Sequence, residues 1–119
     1  MKTLNRIRNR QGRCYELAGL AMLIEEGSEA FTLVHGILDL SFLGLSSAYA
    51  HAWIELPDGR VYDPNMHSYM PKAEYYSRYK PRRCQRYTRL EMAKLAVRHH
   101  WGPWTESERG LIEFEALAL

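Results

Sequence analysis

Apolar residues recur at helical spacing from Cys14 to about Glu26 (Leu17, Ala18, Leu20, Ala21 and Ile24), and Gly27 supplies a stop, so the pattern predicts a first helix. Gly12 permits a sharp turn into it and puts Cys14 in or next to its first turn. The period then changes. Phe31 to Leu38 (FTLVHGIL) and Ala48 to Leu56 (AYAHAWIEL) are β-rich, and the small-residue stretch Leu43-Gly44-Leu45-Ser46-Ser47 divides them, which predicts two paired strands. The clearest local signal is Leu56-Pro57-Asp58-Gly59-Arg60, followed by Val61-Tyr62-Asp63-Pro64. Proline suits the second position of a type I turn, and the glycine suits the left-handed position of a three-residue hairpin with a bulge. That register sets Leu56 opposite Arg60 and Trp53 opposite Asp63, with His51 diagonal to Asp63 on the same sheet face. A two-residue turn at Asp58-Gly59 would instead set Asp63 opposite Ile54, on the face away from His51. Pro57 favours the first register, and Pro64 ends the strand.

Beyond Pro71 the chain turns tyrosine- and arginine-rich from Lys72 to Arg89, which reads as a short helix or irregular cover broken by Pro81. Thr88 and Glu91 have capping-box spacing ahead of Leu90, Ala93, Leu95, Ala96 and Val97, which predicts a helix to about His100, stopped by Gly102-Pro103. Thr105 is placed to cap a last helix through Leu111, Ile112 and Phe114. The expectation is a small α+β domain: an N-terminal helix on a short antiparallel sheet, with C-terminal helices covering the rest. At ~100 to 200 residues per domain, the 119 residues make a single domain over 1–119, with a core at about 12–65 and a helical cover over 72–119.

Composition excludes several classes. At 46% hydrophobic and 25% charged, the chain is neither disordered nor collagen-like. No run approaches the ~18 to 20 apolar residues of a membrane span, and no apolar run follows the basic N-terminus, so the expected setting is the cytoplasm with no membrane partner. Two cysteines are too few for a disulfide framework, and a reducing compartment keeps them as thiols. The formal charge of +2 hides a segregation. Residues 1–13 carry five Lys/Arg and no acid, 14–71 one Arg against eight acids, and 72–89 seven Lys/Arg against one Glu. Basic segments flank an acidic middle, which fits either an anionic partner or internal electrostatic packing.

A cysteine is a strong nucleophile as a thiolate, and a helix N-terminus or an imidazole favours that form. Cys14 has the first by position. His51, between Ala50 and Ala52, whose small side chains leave room for a helix, is the candidate for the second. In the favoured register Asp63 can accept from the imidazole, fix its tautomer and stabilise its charge. The result is a candidate Cys14–His51–Asp63 triad.

The strings Gly12-Arg13-Cys14-Tyr15-Glu16-Leu17-Ala18, His51-Ala52-Trp53-Ile54-Glu55 and Gly59-Arg60-Val61-Tyr62-Asp63-Pro64 resemble the core of the transglutaminase-like branch of the papain-like cysteine enzymes. The gaps are 37 residues from Cys to His and 12 from His to Asp, in that family's order. The resemblance covers roughly residues 12 to 65, and 72–119 match nothing in it. It implies a thiol-dependent acyl-transfer enzyme, a cysteine peptidase or amidase if water takes the acyl group and a transferase if an amine does, acting on a peptide or amide substrate without a cofactor or metal. It further implies an oxyanion held by the Cys14 N–H and a second donor, for which Gln11 is the candidate by polarity and proximity, with Trp53 as core or as a wall of the site.

Simpler readings stand beside these. Cys14 also reads as a small buried hydrophobe, and Asp63 before Pro64 as ordinary turn chemistry. Cys84 lies among Arg82, Arg83 and Arg86, a setting that would lower its pKa; no ordered His–Asp pair follows it, which leaves it incidental or a redox partner of Cys14. His35, His51 and His67 have no standard zinc spacing. A second class of function is a non-catalytic binding module on the same scaffold, whose basic segments and tyrosines take an acidic protein or nucleic acid.

Overall fold

Gly12 takes a left-handed φ of +74° in open space, so the glycine serves the backbone turn into the first helix. The computed structural model describes residues 1–7, 12–44, 48–106 and 108–111. Its elements are α1 (Cys14–Ile24), β1 (Thr32–Asp39), β2 (Ala48–Glu55), β3 (Arg60–Asp63), β4 (Ser68–Pro71), α2 (Lys72–Tyr79), β5 (Arg82–Tyr87) and α3 (Arg89–His99). Short 3-10 turns lie at Leu4–Arg6, Ser28–Ala30 and Ser41–Leu43. Residues 106 and 108–111 are helical, with Thr105 Oγ1 accepting from the Glu108 N–H; Ile112 and Phe114 lie outside the described residues. No helix among the described residues is long and apolar enough to cross a membrane.

The strands form one antiparallel sheet in the order β4-β3-β2-β1-β5. In the hairpin after β2 the Leu56 N–H donates to the Arg60 carbonyl at 2.8 Å, and the Gly59 N–H to the Leu56 carbonyl at 3.2 Å, with Gly59 at φ +88°. Ile54 pairs with Tyr62 and Glu55 with Val61, which is the three-residue register. Side chains alternate across the sheet, so this register decides everything on its two faces.

One face carries Leu33, Ala52, Ile54 and Tyr62 and is covered by α1 and α3, through Leu17, Ala18, Ala21, Met22 and Met92. The other carries Val34, Leu38, Trp53 and Val61 and is covered by α2, through Tyr75 and Tyr79. The architecture is thus helices, sheet, helix. On the α2 face, Gly36 leaves the space that the Trp53 ring and Cys84 fill: a Cβ there would lie 2.9 Å from the ring and 3.2 Å from the sulfur. The N-terminal turn is tied to the end of α1 by Glu25, whose buried carboxylate accepts from the N–H groups of Thr3 and Leu4 at 2.9 and 3.1 Å.

Two strands depart from the expected cover. Residues 82–87 pair with β1 as an edge strand, and 68–71 pair with β3 at the opposite edge. The cover is therefore helix, strand and helix rather than helical throughout. Neither strand shows an apolar alternation, because an edge strand need bury neither face, and the partner's backbone supplies the order. The capping box of α3 is present in both directions between Thr88 and Glu91.

Candidate active site

Cys14 is the first residue of α1, at a helix end that no side chain caps; Arg13, the N-cap, is turned to Glu16. The first intrahelical bond runs from the Leu17 N–H to the Arg13 carbonyl, so the N–H groups of Cys14, Tyr15 and Glu16 have no acceptor within the helix. β3 ends at Asp63 while β2 begins at Ala48, so residues 48–52 of β2 have no β3 residue opposite them. His51 lies in this stretch.

The alternation turns Ala50 and Ala52 toward α1 and His51 toward the α2 face, where Asp63 also points. His51 Nε2 and Asp63 Oδ2 are 2.9 Å apart, both side chains nearly inaccessible. The Cys14 side chain is close enough to favour the charged form of the imidazole. With Nε2 held by Asp63, Nδ1 is the nitrogen left over, and it has no hydrogen-bond partner among the described residues. Cys14 and His51 thus belong to opposite layers, His51 on the stretch of β2 that has lost its β3 neighbour. Cys14, His51 and Asp63 are only 4%, 2% and 3% exposed.

Burial pulls the imidazole toward its neutral form, but the Asp63 charge and hydrogen bond, and after them Cys14, outweigh it and hold His51 up to about 10. Burial opposes the Asp63 charge as well, and the His51 charge, that hydrogen bond, the Tyr75 hydroxyl and the Met66 N–H hold the carboxyl below its usual range. The two oxygens of Asp63 have separate sets of partners. Oδ1 accepts from the N–H groups of Asn65 and Met66 at 3.0 and 3.3 Å, which is turn chemistry after Pro64. Oδ2 accepts from His51 and from the buried Tyr75 hydroxyl, each at 2.9 Å. Tyr75 comes from α2, and no pattern in the sequence singled it out from the other tyrosines of that segment.

Trp53 is fully buried, its ring 6.1 Å from that of His51 and its Nε1 donating to the Tyr76 hydroxyl at 3.2 Å. It backs the imidazole from inside the core. Gln11 lies outside the described residues. Cys84 is a free, half-buried thiol, and burial pushes its pKa up, with Arg86 only partly opposing, so the expected lowering by its arginine neighbours does not occur. Arg86 is itself paired with Glu55 at 2.9 Å.

The histidines do not converge. His35 lies on the α1 face, boxed by the rings of Tyr15, Tyr87 and Trp104, and burial, with the His51 charge, pushes it down to about 3. His67 meets the Tyr62 hydroxyl and Asn5 at 2.6 Å each. No three potential ligands are grouped for a metal ion among the described residues. Beside Cys14, the Tyr15 hydroxyl donates to the buried Glu108 at 2.6 Å and so fastens the C-terminal segment to the first turn of α1. Comparison of the chain with protein-family models, with curated proteins and with solved structures finds no match.

Proposed function

We propose that the chain is a thiol-dependent acyl-transfer enzyme, a cysteine peptidase or amidase with a Cys14–His51–Asp63 triad on a minimal transglutaminase-like, papain-like core. The observation that carries this reading is the division of the imidazole: Nε2 is engaged by a buried carboxylate, while the buried Nδ1 has no hydrogen-bond partner among the described residues and Cys14, at an uncapped helix N-terminus, is close enough to favour the ring's charge. A histidine with a merely structural role has no need of a buried nitrogen left unpaired.

In this reading Cys14 acts as the thiolate, paired with a His51 imidazolium. The sulfur attacks an amide carbonyl carbon and forms the C–S bond, while the carbonyl oxygen takes the negative charge beside the first-turn N–H groups that have no acceptor within the helix. Collapse breaks the C–N bond, and His51 gives its Nδ1 proton to the departing amine. Water then attacks the thioester and returns a proton to Nδ1, releasing the acid and restoring the ion pair. An amine in place of water makes the same residues a transferase.

Iodoacetamide labelling near neutral pH, mapped by mass spectrometry with Cys84 as internal reference, tests the reading. Cys14 is expected to label faster in the folded protein than in urea, and to slow by about tenfold or more in His51→Ala, a factor that one pH unit's worth of lost ion pairing produces. Equal reactivity of Cys14 in the folded and unfolded protein would sink the catalytic reading.

A further inference from the structure

On the sheet face away from His51, α3 presents Leu90, Ala93 and Val97 at i, i+3 and i+7, one stripe in which Leu90 is 65% and Val97 87% exposed. Beside the stripe, in the seam between α3 and the end of α1, runs an apolar groove of about 550 Å³ toward the Leu90 end and about 340 Å³ toward the Val97 end. Leu23 and Ala93 line both parts. The two walls differ in charge. Glu29 lines the α1 side, with Glu26 exposed beyond it, and the α3 side carries Arg89, Lys94 and Arg98. An occupant must bring an apolar helical ridge to fill the groove and a cation to meet Glu29. α3 has both properties itself: the Leu90, Ala93 and Val97 ridge, and Arg98 next to Val97.

We propose that the groove and stripe form a homodimer interface, in which α3 of a second copy lies antiparallel in the groove across a two-fold axis. A two-fold contact lets each copy give its ridge and receive the other's, so both exposed features are satisfied at once. The antiparallel alignment sets Val97 of one copy over the Leu90 end of the other and brings Arg98 alongside Glu29. Ala93 and Ala96 keep the centre of the groove shallow in side chain, so two backbones can approach. The contact lies across the sheet from Asp63 and Tyr75, and at the opposite end of α1 from Cys14.

Sedimentation equilibrium of the full chain from about 1 to 500 μM, a range bracketing micromolar association, tests it. The expected result is reversible dimerisation from 13.9 kDa to twice that mass. Val97→Glu should remain monomeric throughout with an unchanged melting curve, since that side chain packs on little in one copy. Glu29→Arg and Arg98→Glu should each weaken the dimer by about tenfold, and the two together should restore it. A chain monomeric across the range overturns the proposal, as does a dimer indifferent to Val97→Glu or a double exchange no better than either single one. A monomer that instead captures a different helical protein on this stripe overturns it too.

Discussion

Asp63→Asn should change the sign of the protein's stability dependence on pH. In the native protein His51 is held up to about 10 against an ordinary 6.5, so between these values the folded chain binds the proton that the unfolded chain releases. The stabilisation is complete below about pH 6.5 and is lost as pH rises through about 10. Asp63 shows the acid side of the same pair: its carboxyl lies below the ordinary 3.8, so its contribution is present above that value and is lost as pH falls further. The interval of about 3.5 pH units for His51, at about 1.36 kcal/mol per unit, approaches 5 kcal/mol, and breaking a buried ion pair costs roughly 3 to 5 kcal/mol. An asparagine cannot accept on both sides. The two backbone N–H groups of Asn65 and Met66 demand an oxygen at one position, which turns the amide nitrogen toward Nε2 of His51. Nε2 must then accept, the ring becomes neutral with its proton on Nδ1, and burial keeps it so. The variant should therefore gain stability as pH rises to about 6.5 and then level off, while the native protein declines. Urea unfolding followed by tryptophan fluorescence at several pH values from 5 to 9.5 measures this, with a deficit of about 3 to 5 kcal/mol below pH 6.5 that narrows toward pH 10. Parallel curves for the two proteins would refute a charged His51.

Tyr75→Phe keeps the ring packed but removes one of the two donors to Asp63 Oδ2; it should cost about 1 to 2 kcal/mol near neutral pH and move the acid loss of stability to higher pH. Urea titrations between pH 3 and 5 would show an unmoved acid limb if the hydroxyl does not support the carboxylate. Gly36→Ala places a methyl 2.9 Å from the Trp53 ring and 3.2 Å from Cys84 Sγ, and should cost about 1 to 3 kcal/mol by overpacking. Adding Cys84→Ala to it should recover part of that loss in a double-mutant cycle, and strict additivity would show that the sulfur does not confine the site.

The parts of the fold that can be read from the chain are those that bury a face by their own pattern. α1, β1, β2 and β3 fall within a residue or two of their expected limits because each has an apolar period, a glycine or a proline at its boundary. β4 and β5 have prolines at a boundary, Pro71 and Pro81, but no apolar period. Arg82, Arg83, Gln85 and Arg86 leave β5 exposed on both faces, so its strand state comes from the backbone of β1 and not from its own side chains. The tyrosines of α2 show the opposite case. Tyr75 and Tyr79 both pack on the sheet from α2, but the single hydroxyl bond that ties Tyr75 to Asp63 leaves no trace in hydropathy.

The site was legible to the extent that register was. One extra residue in the turn after Leu56 puts Asp63 on the face of His51 rather than behind it, and Pro57 and Gly59 encode that choice locally. The same logic explains why neighbours along the chain misled at Cys84. Arginines close in sequence lower a thiol's pKa only where their charge is free to act on it, and Arg86 is committed to Glu55, so burial prevails. His51 combines both lessons. Its alanine neighbours meet α1 as expected, yet alternation sends the imidazole to the other face, where the end of β3 supplies Asp63 as its partner. The short β3 is therefore as much a part of the candidate site as the triad residues: it stops at the residue that holds the imidazole, and it leaves the stretch of β2 that carries His51 with no β3 residue opposite.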